Sequence, residues 1–103
     1  MAKKKYRTTR EYLDTAAKIV TGQRQYDYGD KYQNHQNIAD LWSSYIGKKI
    51  SAHDVAICML LVKVARLKNM HTEDCYVDIA GYAGIAGEID KATTEIIEPE
   101  EAP

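Results

Sequence analysis

The stretch AHDVAICMLLVKVARLKN, residues 52–69, decides the fold. From Val55 to Val64 it is apolar on nearly every side of a helix, which predicts a central helix wrapped by others. Ser51 and Asp54 form a capping box, S-x-x-D, that starts it. Lys63 and Arg66 interrupt the apolar run. They are three apart, so they are neighbours on the helix surface. Both sit in the last turns, where the helix dipole favours positive charge. Cys58 falls inside the apolar pattern and reads as a small buried hydrophobe.

Upstream, Asn34, Ile38, Leu41, Trp42 and Tyr45 make one stripe at helical spacing. Leu41, Trp42 and Tyr45 read as core, and Asn34 carries the stripe toward a polar loop. Gly47 closes this helix. Farther upstream, Thr8 and Glu11 form another capping box. Tyr12, Leu13, Ala16, Ala17, Ile19 and Val20 follow with helical period, and Gly22 is a natural stop. The first helix therefore covers roughly residues 9–21. Downstream, a fourth helix is expected over about residues 72–91. It carries Gly81, Gly84 and Gly87 at every third position. A glycine costs a helix about 1 kcal/mol relative to alanine, so close approach of another backbone is the expected reason. The fold is then all-α, a compact bundle of four helices with a long polar loop between the first two. Short connections favour antiparallel neighbours for helices two and three, and for three and four. Residues 1–7 read as a basic flexible tail, 8–91 as one domain, and 92–103 as an acidic flexible tail.

The chain has 103 residues and a net charge of -1, so no global field draws it to DNA or to an anionic membrane. No apolar run suits a signal peptide or a membrane span, and a cytoplasmic protein is expected. A core of this size is small, which favours self-association into a homo-oligomer. Cys58 and Cys75 lack metal-site spacing, and His35, His53 and His71 share none either. Phe is absent while Tyr occurs eight times. Aromatic bulk with a hydroxyl suits half-buried positions at a pocket or an interface.

The loop QRQYDYGDKYQN, residues 23–34, is too polar and too aromatic for a simple connector. Arg24, Asp27, Tyr28, Asp30 and Asn34 form one polar cluster there. Lys63 with Arg66 forms a second. Asp74 and Asp78, four apart on helix four with Tyr82 one turn on, form a third. A plain structural account is open for each: Asp30 as an N-cap, and Lys63 and Arg66 as ion-pair partners of Asp74 and Asp78. The functional account has the three clusters converge on one pocket. Arg24, Lys63 and Arg66 would meet a phosphate or another anion, Arg by bidentate contact and Lys as a point charge. Tyr28 or Tyr26 could stack on a base, and Asn34 could read its hydrogen-bonding edge. Asp74 and Asp78 could hold Mg²⁺, which binds through one or two carboxylates plus phosphate.

The motifs R-x-x-D-Y-G-D (24–30), A-x-L-W (39–42), D-V-A (54–56), K-x-A-R (63–66) and D-x-x-V-D-x-A-G-Y (74–82) resemble those of a family of small phage and prophage proteins of unknown function. The resemblance covers about residues 11–88. More distantly it is similar to phage domains associated with nucleotide modification and to MazG-type nucleotide pyrophosphohydrolases. The latter resemblance implies Mg²⁺ held by E-x-x-E and E-x-x-D helical pairs. Here the only E-x-x-D is Glu11 to Asp14, and helix three has no acidic pair. Three function classes follow: a binder that sequesters a nucleotide-derived immune signal, an Mg²⁺-dependent nucleotide enzyme of phage metabolism, and a protein-interaction module. Binding is favoured over catalysis, because the acidic pair is missing. Direct nucleic-acid binding is disfavoured, because the folded part has no basic stripe.

Overall fold

The computed structural model describes residues 6–22, 31–69 and 73–93. These form four α-helices: α1 (Thr9–Thr21), α2 (Lys31–Ile46), α3 (Ala52–Arg66) and α4 (Glu73–Thr93). No strand occurs among the described residues. Arg24, Tyr26, Asp27, Tyr28 and Asp30 lie outside them, as do residues 1–5 and 94–103 of the two tails, while α4 runs on to Thr93, two residues into the expected acidic tail.

Both expected capping boxes are formed. The Thr8 hydroxyl accepts from the Glu11 N–H at 3.2 Å, and the Glu11 carboxylate accepts from the Thr8 N–H at 2.8 Å. Ser51 and Asp54 do the same at 3.0 and 2.9 Å. The α2–α3 turn is closed by two devices. Gly47 takes φ 81°, the left-handed conformation that favours glycine, and its N–H reaches the Ser43 carbonyl at 2.8 Å. The Ser43 hydroxyl then accepts from the Ile50 N–H at 2.8 Å and donates to the Ile50 carbonyl at 3.2 Å.

Helix α4 makes its most extensive contact with α3. It packs against α3 on one side and α1 on the other, and α2 packs on α3. The core joins Ala52 and Ala56 of α3 to Ile85, Ala86 and Ile89 of α4, with Val20, Tyr32, Ile57 and Tyr82 around it. The early residues of α3 face the late residues of α4, so these two helices are antiparallel. Tyr12 meets Tyr76 edge-on at 6.0 Å, while Val20 lies against Gly81, so α1 runs parallel to α4. Small residues at 52, 56 and 86 let the helix axes approach closely, and the isoleucines fill the space between them.

Several expected core positions are open. On α3, burial is confined to Ala52, Val55 and Ala56, while Leu61, Val62 and Val64 are exposed. On α2 the buried residues are His35 and Ala39. Leu41 is 71% and Tyr45 93% exposed, and Trp42 is only partly buried. The reason is rotational. The buried face of α2 is set by small Ala39 and by His35, whose ring meets Tyr82 of α4, and it lies off the stripe of large apolar residues. Cys58, expected to be buried, is exposed, and Cys75 is buried. The glycine series on α4 splits. A Cβ on Gly81 would meet Val20 Cγ1 at 3.1 Å, so α1 explains that glycine, whereas Gly84 and Gly87 have nothing within 4 Å.

Candidate functional site

The α3–α4 core seam ends in a charge pair. Lys63 lies seven residues after Ala56, and Asp78 seven before Ile85, so both occupy core-facing registers two turns along their helices. Their side chains meet at 3.0 Å, Lys63 Nζ to Asp78 Oδ2, and are 20% and 22% exposed. Even a fully exposed ion pair stabilises by only about 0–1 kcal/mol, and in a largely buried seam two well-packed apolar residues would serve as well or better. Packing alone therefore gives little reason for a Lys and an Asp at these positions.

The side chains around the pair differ in how firmly they are held. Tyr82 lies one turn beyond Asp78 on α4. It is half-buried against the core, and its ring meets that of His35 on α2 at 6.5 Å in an edge-to-face arrangement. His35 is 6% exposed, with Nδ1 2.8 Å from the Lys31 carbonyl oxygen. A carbonyl can only accept, so that nitrogen carries the proton. This fixes the ring and, through it, Tyr82. Lys31 also reaches Glu88 on α4 at 3.5 Å. The start of α2 is thus tied to α4 by a ring contact and an ion pair.

Arg66 is one turn beyond Lys63 on α3 and is exposed, and Asp74 is one turn before Asp78 on α4 and is also exposed. Neither makes an ion pair among the described residues. Asn34 on α2 is exposed beside His35. Of the residues that the sequence singles out, Lys63 and Asp78 touch, Tyr82 stands one turn away, and Arg66, Asp74 and Asn34 face solvent. Arg24, Asp27, Tyr28 and Asp30 lie outside the described residues. Their flanking helices both end beside α4, Val20 against Gly81 and Lys31 against Glu88.

Among the described residues no group of three or more His, Cys, Asp or Glu side chains is arranged to hold a metal. Asp78 already carries the Lys63 ammonium, which neutralises the charge that a cation would use. Sequence reasoning missed His35 as the support of Tyr82, although its spacing of four from Ala39 was visible. It also missed the Lys31–Glu88 pair, for which two surface charges far apart in sequence give no signal.

No helix among the described residues is long and apolar enough to cross a membrane. A family model described as a domain of unknown function, DUF6378, matches residues 11–90. The Gene 55 protein of Mycobacterium phage L5 is 49% identical over 75 residues, covering 71% of this chain and 48% of that protein. The Gene 55 protein of Mycobacterium phage D29 is 39% identical over 84 residues, covering 81% of this chain and 56% of that protein. The chain thus spans about half the length of the curated relatives it matches. No solved structure matches it.

Proposed function

The chain belongs to the DUF6378 family, and from that premise we propose that it binds a nucleotide or a nucleotide-derived signal without turning it over. The observation that carries this reading is the Lys63–Asp78 pair set into the core seam, with the exposed Arg66 guanidinium, which has no ion pair among the described residues, one turn away. An ammonium has three N–H donors, so Lys63, positioned by Asp78, keeps donors for an anion, and the Arg66 guanidinium beside it can make a bidentate contact with phosphate. Tyr82 bounds the site on the α4 side. Arg24, Asp27, Tyr28, Asp30 and Asn34 complete it in this reading: Arg24 for a second phosphate contact, Tyr28 for stacking and Asn34 for the base edge.

The matched relatives are phage proteins. A small binder without turnover would serve a phage by sequestering a host signalling nucleotide in the cytoplasm, and we propose a homo-oligomer as its working form. Arg66→Ala tests the reading. It should weaken nucleotide binding by at least about tenfold, the loss of one charge-assisted contact, with the helical circular dichroism unchanged. Equal affinity in the variant would make Arg66 a solvated surface residue. The Mg²⁺-enzyme reading is separated by Asp78→Asn and by product analysis. Turnover in the wild-type chain that Asp78→Asn abolishes would replace the binder with an enzyme, and Asp74 with Asp78 would then be its metal ligands. A chain that binds no nucleotide would be read as a protein-interaction module.

A further inference from the structure

We propose that a second copy of this chain covers the open apolar strips of α2 and α3, making a two-fold homodimer. This deepens the self-association part of the proposed function and does not depend on the ligand. On α2, Leu41 and Tyr45 lie one turn apart and are 71% and 93% exposed. On α3, Cys58, Leu61, Val62 and Ala65 follow one another at spacings of three, one and three, and all four are exposed. That spacing marks a helix face that packs against another helix, and none of the described residues covers it.

The area is what a dimer needs. At about 100 Å² for an aliphatic side chain and about 200 Å² for a tyrosine, the exposed fractions leave on the order of 400 Å² of large apolar side chain open per copy. One side of a standard interface buries about 800 Å², roughly 60% of it apolar. The two strips thus supply most of the apolar share, and Cys58 and Ala65 add to it. Their small side chains also permit close axial approach. The rim is charge-complementary. Asp40 borders the α2 strip, and Lys68 follows the α3 strip. A two-fold arrangement that lays each α2 strip on the other copy's α3 strip buries both strips in one isologous interface and sets acid against base at its edge.

The test is sedimentation of the full chain, without nucleotide, across the micromolar range. A species of twice 11.7 kDa is expected for the wild type. Leu61→Glu and Tyr45→Arg should each weaken the dimer by about 10–100-fold, with helicity kept. Leu13→Glu, at a position 55% exposed on α1, should leave it intact. If Leu61→Glu fails to fold, Tyr45→Arg remains decisive, because that side chain touches almost nothing in its own chain. A monomeric wild type, a dimer retained by either folded strip variant, or equal dispersal by Leu13→Glu would overturn the proposal. Because the measurement is made without ligand, its failure leaves the Arg66→Ala binding result standing, and the reverse holds too.

Discussion

Replacing Gly84 or Gly87 with alanine should stabilise the protein, and replacing Gly81 should not. The three glycines share a spacing and a helix but not a neighbourhood. A Cβ at 84 or 87 enters open space, while one at 81 meets Val20 Cγ1 at 3.1 Å. In a helix interior alanine is favoured over glycine by about 1 kcal/mol, partly because it restricts the unfolded chain. Each open-side replacement should therefore add about 0.5–1 kcal/mol, and the pair about 1–2 kcal/mol. For a domain of this size each kcal/mol raises Tm by about 4–8 °C. At position 81 the same gain is offset, because the β-branched Val20 has few rotamers in which to give way. Urea denaturation followed by circular dichroism at fixed protein concentration measures all three. The slope should be unchanged and the midpoint moved. Destabilisation by Gly84→Ala or Gly87→Ala of about 1 kcal/mol or more would refute the reasoning. It would mean that another backbone packs on this face of α4, and it would move the proposed interface away from α2 and α3.

Two further outcomes concern the seam and the cap. Lys63→Met and Asp78→Leu should each cost about 1–3 kcal/mol, between the exposed and buried limits for an ion pair, because each strands a half-buried charge. The double variant should cost less than the sum, and additive costs in a thermal-denaturation cycle would show that the 3.0 Å contact carries no coupling. At the start of α3, the Ser51 backbone N–H bonded to Asp54 is the main reason that the Asp54 carboxyl titrates below its ordinary value. A depressed folded-state pKa contributes stability above the unfolded value, near 4, and loses it as pH falls through the folded value. Asp54→Asn should accordingly lose less stability than the wild type between neutral pH and that acid range, measured as Tm against pH. Ser51→Ala should cost about 1 kcal/mol at neutral pH through loss of the cap.

The sequence shows some parts of this structure far better than others. Helix α1 could be read at both ends because its signals are local: Thr8 with Glu11 at the start and Gly22 after Thr21. The start of α3 could be read for the same reason. What could not be read is which face of α2 meets which neighbour. The large apolar residues of α2 point one way and its small residues another, and periodicity alone favours the large ones. The contact is made instead by Ala39 and His35, because a small residue allows close approach and His35 finds both Tyr82 and the Lys31 carbonyl. Helix α3 misled similarly. Its all-round apolar character suggested a central helix, yet half of it is open, which is the feature a second copy would explain. Of the candidate site, the sequence offers Lys63 and Arg66 as ion-pair partners of Asp74 and Asp78, because a short connection joins two antiparallel helices, and the structure pairs Lys63 with Asp78. The open setting of Arg66 and Asp74 was not, because single residues near helix ends carry no facing information.

The central claim is that this chain binds a nucleotide-like anion beside the Lys63–Asp78 pair. Its most direct test is a thermal-shift screen of the full chain and of Arg66→Ala. The screen covers nucleoside mono-, di- and triphosphates and cyclic oligonucleotides, each with and without Mg²⁺. Ligand at about 100 times its dissociation constant stabilises the folded state by about 2.7 kcal/mol, a shift of about 10–20 °C here. A rise in Tm with one nucleotide class, lost in Arg66→Ala, is the predicted result. A flat screen, or an equal rise in both proteins, would contradict it.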